Sequence, residues 1–582
     1  MTNKTAHDNP NETISLFKFQ ILYLKRCLWF LIGKLFALFL YSGITLFFPI
    51  ITATLLKERG VDSHHWIVFI SLLFLLAIAS SLRYYCATML GERIILFMQR
   101  DVVAKIIKCP PSFFNARSHG ELFSTLVKDA ERIKTTIGIS MSIILRNLLT
   151  CIGSIYMMFI ISRDFFLVVI GLICTIAFFF TIIFRVRRKK GSALYIEEKK
   201  LLNIFSDMIK SVMVLQAFNA GKNAIHRYDV QSQKTYQGLL NSLLLRTIIT
   251  CCVIFALSFG IYIVFLLGSH HVNIDRISGE NLAKFLFYAM IFLGTIRSCS
   301  GFVGEILQAI ASLRRFRDLI VCKLDVVSPI PYRRFPSTAL GNISFCNVSF
   351  SYPEKSKRSV LKNINFTVLP GETVALMGDS GAGKTSIFSL ILRFYDPCSG
   401  FIQMEGIDLR CLSLEEIRRC IAWVPQNPTI ITASVHDNIA IGYPNATREA
   451  VKNAAIDAQA HEFISNLDKG YDTILGSDAV HLSAGQIQRI AIARAILKDA
   501  SILLLDEMGS ALDIENENKI WKVLREKRKG RTTIFASHRL SLVQDTDVVF
   551  VLHNNMIVEM GRHAELIKDS YLYSRYRFFM SK

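Results

Sequence analysis

Two stretches of this chain, Phe165–Phe184 and Thr247–Gly268, contain no charged residue. Each is about 20 residues long, the length a helix rising ~1.5 Å per residue needs to cross a hydrocarbon core of roughly 30 Å. Weaker candidates are Leu35–Leu56, Trp66–Leu90, Thr136–Ser162 and Leu282–Val303. A buried core helix of a soluble domain explains any one of these runs. Six in succession, all ahead of a soluble-looking segment that begins near Leu340, predict six spans. The chain is 52% hydrophobic with 42 Phe, and the apolar runs crowd before about Gly268.

Lys and Arg placement orients such spans, because basic loops stay on the cytoplasmic side. Between the second and third candidates lie Arg93, Arg100, Lys105, Lys108, Arg117, Lys128, Arg132 and Lys134. Between the fourth and fifth lie Arg185, Arg187, Arg188, Lys189, Lys190, Lys199, Lys200, Lys210, Lys222, Arg227 and Lys234. The other side offers Lys57, Arg59, Arg163 and Arg276. The two long connections and both termini are therefore expected in the cytoplasm. Much of the net charge of +21 is accounted for by topology, and no nucleic-acid partner is needed to explain it. The 13 Cys are irregularly spaced without a metal-like pair, and read as small apolar fillers in a reducing compartment. Met1 to about Phe17 is polar and lacks the layout of a cleaved signal peptide, so it is expected to be a cytoplasmic leader. In the second long connection, Leu202, Ile204, Phe205, Met208, Ile209, Val212 and Leu215 recur near a helical period, predicting a helix over Leu201–Phe218 that extends a span into the cytoplasm.

From Ile343 the pattern turns to β-rich stretches, Val374–Met377, Ile502–Leu505 and Thr533–Phe535, alternating with helices. The first of these runs into Gly378-Asp379-Ser380-Gly381-Ala382-Gly383-Lys384-Thr385, followed by a helix-like run Ser386–Phe394. This is a full phosphate-loop pattern in its required setting, strand before and helix after. The glycines let backbone N–H groups face phosphates, aided by the helix dipole. Lys384 is expected to reach the β- and γ-phosphates and the Thr385 hydroxyl to ligate magnesium. Downstream, the apolar Ser501–Leu505 ends in Asp506-Glu507. Strand side chains alternate, so two adjacent carboxylates can divide the work. Asp506 is expected to hold magnesium through water, and Glu507 to orient or deprotonate an attacking water. A solvated strand end explains one acid; it explains two poorly beside a phosphate loop.

Further residues carry a resemblance. Leu482-Ser483-Ala484-Gly485-Gln486 resembles the signature of ATP-binding cassettes, and Ser483 suits the N-cap of the helix after it. Gln426 in Val424-Pro425-Gln426 is similar to the Q-loop, also a magnesium contact, and Ser510-Ala511-Leu512-Asp513 to the D-loop. His538 in Ser537-His538-Arg539 stands at the switch histidine, and Tyr352 where the family stacks a ring on adenine. Ser112-Phe113-Phe114 with Gly120-Glu121-Leu122, and Met208–Phe218, resemble the two intracellular loops of type IV exporters, whose tips dock on the motors. The resemblance covers nearly the whole chain. It implies an all-α six-helix transmembrane domain followed by an α/β phosphate-loop ATPase domain with an antiparallel β subdomain and a helical subdomain. The expected divisions are a leader (1–30), the membrane domain (31–320), a linker (321–340) and the nucleotide-binding domain (341–582). It further implies that ATP and magnesium are held by Tyr352, the loop 378–386 (Ser386 included), Ser483, Gly485, Gln486, Asp506 and Asp513, with Glu507, His538 and Gln426 serving catalysis. ATP would lie between the phosphate loop of one chain and the signature of another. The chain must then pair, as a homodimer or with a second half-transporter.

Two positions depart from the family pattern. Ala484 stands where a second Gly is usual, and Ser477 where a Glu usually couples motor to membrane domain.

For the cargo the sequence offers less. Arg83, Arg146 and Arg297 fall inside or at the cytoplasmic ends of the second, third and sixth candidate spans, where a charge is expensive and usually faces a cavity or an anion. Snorkelling to the inner interface is the other reading. Ile144-Leu145-Arg146 and Met157-Met158-Phe159-Ile160 resemble the lipid A flippase branch, implying a bacterial inner membrane and a lipid-like substrate such as lipid A or another anionic glycolipid. A multidrug or peptide exporter, a siderophore importer on the exporter fold, and a non-transporting regulator are the competing readings.

Overall fold

The computed structural model describes residues 21, 23–57, 63–115, 117, 119–167, 170–171, 197, 200–273, 278–322, 325–335, 340–353, 359–476, 481–509, 512–537, 539–569 and 572–573. Residues 1–20 of the expected leader, the coupling position Ser477, Ser510 and Ala511 of the D-loop match, and the switch residue His538 lie outside that set. The chain divides into two compact units, one of Met1–Ala104 with Phe123–Val321, the other of Lys105–Leu122 with Cys322–Lys582.

The first unit is helical. Among the described residues, Leu28–Ala53, Trp66–Ile106 and Gly120–Ile161 are long and apolar enough to cross a membrane, and Ser258–Leu267 is a shorter apolar helix. The candidate Thr247–Gly268 lies within the helix Gly221–Asn273, and Leu282–Val303 within Gly279–Ile320. Phe165–Phe184 runs past the described residues. Phe36, Phe39, Phe47 and Phe74 are exposed on these helices, whereas Ser142, Asn147, Thr150 and Ser154 are buried. That inside-out distribution suits lipid, where apolar faces are solvated and small polar side chains serve helix contacts. The hydroxyls of Thr150 and Ser154 donate to the carbonyls of Arg146 and Thr150 at 3.0 and 2.8 Å, so neither is left unpaired.

The helix that follows the first intracellular connection is interrupted by two π turns, Thr125–Asp129 and Thr136–Ser140. A π turn displaces the regular i→i−4 ladder. At the second, Lys34 Nζ donates to the carbonyls of Ile137 and Gly138 at 3.0 and 3.1 Å. At the first, buried Asp129 takes both Nε and Nη2 of Arg315 at 2.6 Å and the Ser312 hydroxyl at 2.9 Å.

The helix expected over Leu201–Phe218 is broken. Residues 200–210 are helical, Ser211 adopts φ −105°, ψ 17°, and a separate helix covers Val212–Ala217. The Ser211 hydroxyl bonds back to the Asp207 carbonyl. Serine's competition for backbone partners, invisible to hydrophobic periodicity, accounts for the break.

The second unit is built on a six-stranded sheet in the order Met556–Gly561, Val548–His553, Thr373–Gly378, Thr532–Ala536, Ile502–Asp506 and Ile421–Val424. All neighbours are parallel except the first pair. Alternation along the strands divides the core. Ala375, Met377, Leu503, Leu505, Phe535, Val549 and Val551 pack on one face with helix residues such as Ile490, Ile492, Ile520 and Trp521. Val374, Leu376, Leu504, Ile534, Phe550 and Leu552 pack on the other with Phe388, Ile391, Phe345, Ile364 and Phe366. The last three come from an antiparallel four-stranded sheet that includes Ile343–Phe350 and Leu361–Val368. A helical group, Val435–Ala440, Arg448–Asp457, His461–Ser465 and Ala484–Lys498, completes the unit.

Lys105–Leu122, from the first intracellular connection, clusters with this unit. The Ser112 hydroxyl lies 3.4 Å from Asp325 Oδ2, and the Arg117 guanidinium covers the Phe113 ring at 4.3 Å. A cavity of about 270 Å³ lies among Cys109, Phe114, Val326, Arg393, Phe394 and Arg418.

Candidate functional site

The strand Thr373–Gly378 ends in the loop that the sequence marks for phosphate, and the following helix starts at Lys384. Gly383, its N-cap, sits at φ +108°, a conformation that favours glycine, and a Cβ there would also stand 2.5 Å from Leu361 Cδ2 and press that side chain aside. Lys384 is buried, with Nζ donating to the carbonyls of Gly378 and Asp379 at 2.8 and 3.3 Å. Burial pushes its ammonium below the usual lysine range, opposed by the carboxylates of Glu507, Asp506 and Asp379. The helix Lys384–Ile391 ends earlier than the run Ser386–Phe394 suggested, with Arg393 at φ +49°.

Next to this loop ends the strand Ile502–Asp506. Buried Asp506 accepts a hydrogen bond from Thr385; desolvation raises its carboxyl above the usual range, assisted by Glu507 and opposed by Thr385 and Lys384. Glu507 leaves the strand at φ +54°, a left-handed conformation uncommon outside glycine. Its N–H donates to the Ala536 carbonyl at 3.1 Å, and its Oε2 accepts from Gln426 Nε2 at 2.5 Å. The two adjacent acids have different partners, Asp506 against Thr385 and Glu507 against Gln426. Thr385, a buried carboxylate and the loop amides offer oxygen and N–H groups suited to a hard divalent cation bound together with phosphates. Among the described residues no cluster of three or more His, Cys, Asp or Glu forms a self-sufficient metal cage.

Tyr352 lies edge-on to Phe350 and Tyr395, with ring centroids 4.9 and 5.2 Å away, and its hydroxyl is 2.9 Å from Ser386 Oγ. In the signature region Ser483 is the N-cap expected of it. Its hydroxyl accepts from Gln486 N at 3.2 Å, while Gln486 Oε1 accepts from Ser483 N at 2.8 Å. This reciprocal capping box starts the helix Ala484–Lys498 and commits the Gln486 side chain to the turn. Ala484 is exposed at that start. Asp513 caps the helix Ile514–Lys527, accepting from Asn516 N at 3.2 Å and Asn516 Nδ2 at 2.7 Å, and these bonds hold its carboxyl below the usual range.

In the membrane unit the structure brings two of the three singled-out arginines together. Arg83 and Arg146 both approach the Tyr41 ring, at 5.9 and 5.5 Å from its centroid, and Arg83 Nη1 donates to Ser142 at 3.2 Å. Arg83 is buried, and its Nε has no hydrogen-bond partner among the described residues. The Arg297 side chain lies outside the described residues. Lys34 is a further buried cation on the first span, and the sequence did not mark it as a site residue. Its place one residue before an apolar run was the only available signal.

The family described as "ABC transporter transmembrane region" matches residues 28–296, and that described as "ABC transporter" matches residues 361–510. An ATP-dependent lipid A-core flippase of Legionella pneumophila (strain Paris) is 30% identical over 96% of this chain and 95% of its own. The chain belongs to the ABC transporter family. ABC transporter B family member 1 of Dictyostelium discoideum is 31% identical over 85% of this chain, which spans about half of that relative (54%). The structure of a bacterial Atm1-family ABC exporter with ATP bound superposes with a TM-score of 0.83 at 24% identity, covering 96% of this chain and 99% of that one, and establishes the exporter fold. The chain is thus an integral membrane ABC protein with an ATP-binding domain.

Proposed function

We propose that this ABC protein is an ATP-driven exporter or flippase that moves a lipid-like, anionic substrate across a bacterial inner membrane. The observation that carries the hydrolytic part is the pair at the end of Ile502–Asp506, with Asp506 against Thr385 and Glu507 against Gln426. Glu507 acts as base or orienter for water, Gln426 and His538 serve the same step, and Lys384 and the loop 378–386 hold the phosphates. Magnesium, held by Thr385, Gln426 and Asp506, would neutralise phosphate charge. Tyr352 contacts the base. Ser483, Gly485, Gln486 and Asp513 complete the site from a second copy. Six spans place both termini in the cytoplasm, with the motor from about residue 341.

For the substrate, the support is the Arg83–Arg146 pair at Tyr41 and the full-length likeness to a protein named as a lipid A-core flippase. Two guanidiniums sharing one ring repel each other, and a phosphate would relieve that repulsion while pairing Arg83 Nε. Purified protein in nanodiscs, titrated with lipid A, phospholipids and an apolar drug panel, tests the reading. Lipid A should stimulate ATP hydrolysis most. Stimulation by drugs alone would support the multidrug alternative instead. Mixing Lys384→Ala chains with Ser483→Arg chains should restore part of the activity by rebuilding one composite site, and purified monomers hydrolysing at the dimer's rate would remove the shared-site model.

A further inference from the structure

Arg539, next in the chain to His538, makes contacts that the proposed hydrolytic roles do not use. Its Nη1 forms an ion pair with the carboxylate of Glu517, a residue only 1% exposed, while neither that nitrogen nor Glu517 Oε1 makes a hydrogen bond among the described residues. Its Nη2 donates to the carbonyls of Gly509 and Leu512 at 3.1 and 3.4 Å, and its N–H donates to Ser537 Oγ at 3.0 Å. Gly509 follows Glu507 by two residues, and Leu512 immediately precedes Asp513. Glu517 itself sits in the first turn of the helix that Asp513 caps. A side chain at Gly509 would collide with the Glu517 carboxylate, so the three segments meet closely at this point.

Burying a carboxylate this completely is costly, and an ion pair recovers that cost only with good geometry; apolar side chains of the same volume often stabilise as well or better. What the pair supplies is a charge link between separate segments. A guanidinium has a planar fork that can engage a carboxylate with one arm and two carbonyls with the other. Here one arm reaches the helix after Asp513, and the other reaches the segment between Glu507 and Asp513. We propose that Glu517 and Arg539 are positioning residues that tie Ser537 and Arg539, the sequence neighbours of His538, and Gly509 and Leu512, which lie in sequence between Glu507 and Asp513, to the start of the helix that Asp513 caps. The proposal rests on the reading of Glu507 and His538 as parts of an ATP-hydrolysing site. Neither Glu517 nor Arg539 is assigned a contact with nucleotide; both act through the residues they hold.

The test is made on the full-length protein in nanodiscs. Glu517→Gln keeps the shape and removes the charge, and Arg539→Lys keeps the charge and removes the fork. Each should lower kcat about tenfold while changing the KM for ATP less than about twofold, and the double variant should lose little more than either single one, as expected of coupled residues. Gly509→Ala, which presses on the same carboxylate from the other side, should reproduce the split if Glu517→Gln fails to fold. Amide exchange gives a readout independent of hydrolysis: in nucleotide-free Glu517→Gln, residues 508–513 and 537–541 should exchange faster, while 378–385 keep the wild-type rate. A kcat equal to wild type in both single variants would overturn the proposal, and so would unchanged exchange in those two segments. Absence of hydrolysis in the wild type would instead overturn the functional reading, leaving the exchange experiment to decide this one.

Discussion

The two units handle charge in opposite ways. In the motor unit, charged groups of the site are interlocked over short distances: Lys384 on its own loop, Asp506 on Thr385, Glu507 on Gln426. In the membrane unit, Lys34, Arg83 and Arg146 are cations set among apolar helices, and their partners among the described residues are a hydroxyl, an amide, backbone carbonyls and an aromatic ring. The first arrangement holds reacting groups in fixed geometry whatever the cargo. The second leaves positive charge for an anion to compensate. A motor whose geometry is set without reference to cargo can serve many cargoes, and on the proposed reading specificity would reside in the cations of the other unit.

That contrast can be broken by substitution, beginning with the largest effect. Glu507→Gln removes the carboxylate proposed to orient water and should cut turnover by about 100-fold or more, the scale of general-base catalysis, with ATP binding preserved. Wild-type turnover in that variant would remove Glu507 from the mechanism. Lys384→Ala removes a charge-assisted contact of about 1.5–3 kcal/mol, so ATP affinity should fall roughly 10- to 100-fold, measured by equilibrium binding. An unchanged affinity would contradict the phosphate-loop assignment. The Arg83→Ala, Arg146→Ala double variant should raise the lipid A concentration for half-maximal stimulation about tenfold, while basal hydrolysis stays near wild type. Loss of basal activity there would show that the cations stabilise the unit rather than meet a ligand. The smallest effect is expected from Thr447→Ala in the motor unit, away from the site, where the side chain caps the helix Arg448–Asp457. Losing an N-cap worth about 1 kcal/mol should lower the melting temperature by a few degrees and leave turnover unchanged.

The same contrast explains what the sequence made legible. Phosphate binding needs glycines at fixed spacing, a lysine and a hydroxyl on one continuous turn, so Gly378–Thr385 could be read from the residues themselves. The strands around it were legible because buried runs of apolar residues end at turn residues on either side. The Tyr41–Arg83–Ser142–Arg146 cluster joins residues from three separate helices, and no local pattern predicts that meeting. The π turns at Thr125–Asp129 and Thr136–Ser140 were equally silent, since Arg315 and Lys34, which bond to them, come from distant parts of the chain. Ser211 shows a third kind of limit: apolar periodicity continued across it while the backbone did not.

The central claim, that ATP hydrolysis at Glu507 drives movement of an anionic lipid, is tested most directly by measuring lipid A transfer between leaflets in proteoliposomes. Wild-type protein should move labelled lipid A when ATP and magnesium are added, and Glu507→Gln should bind ATP but move none. Equal transfer by the two proteins, or none by a wild type that hydrolyses ATP, would contradict the account.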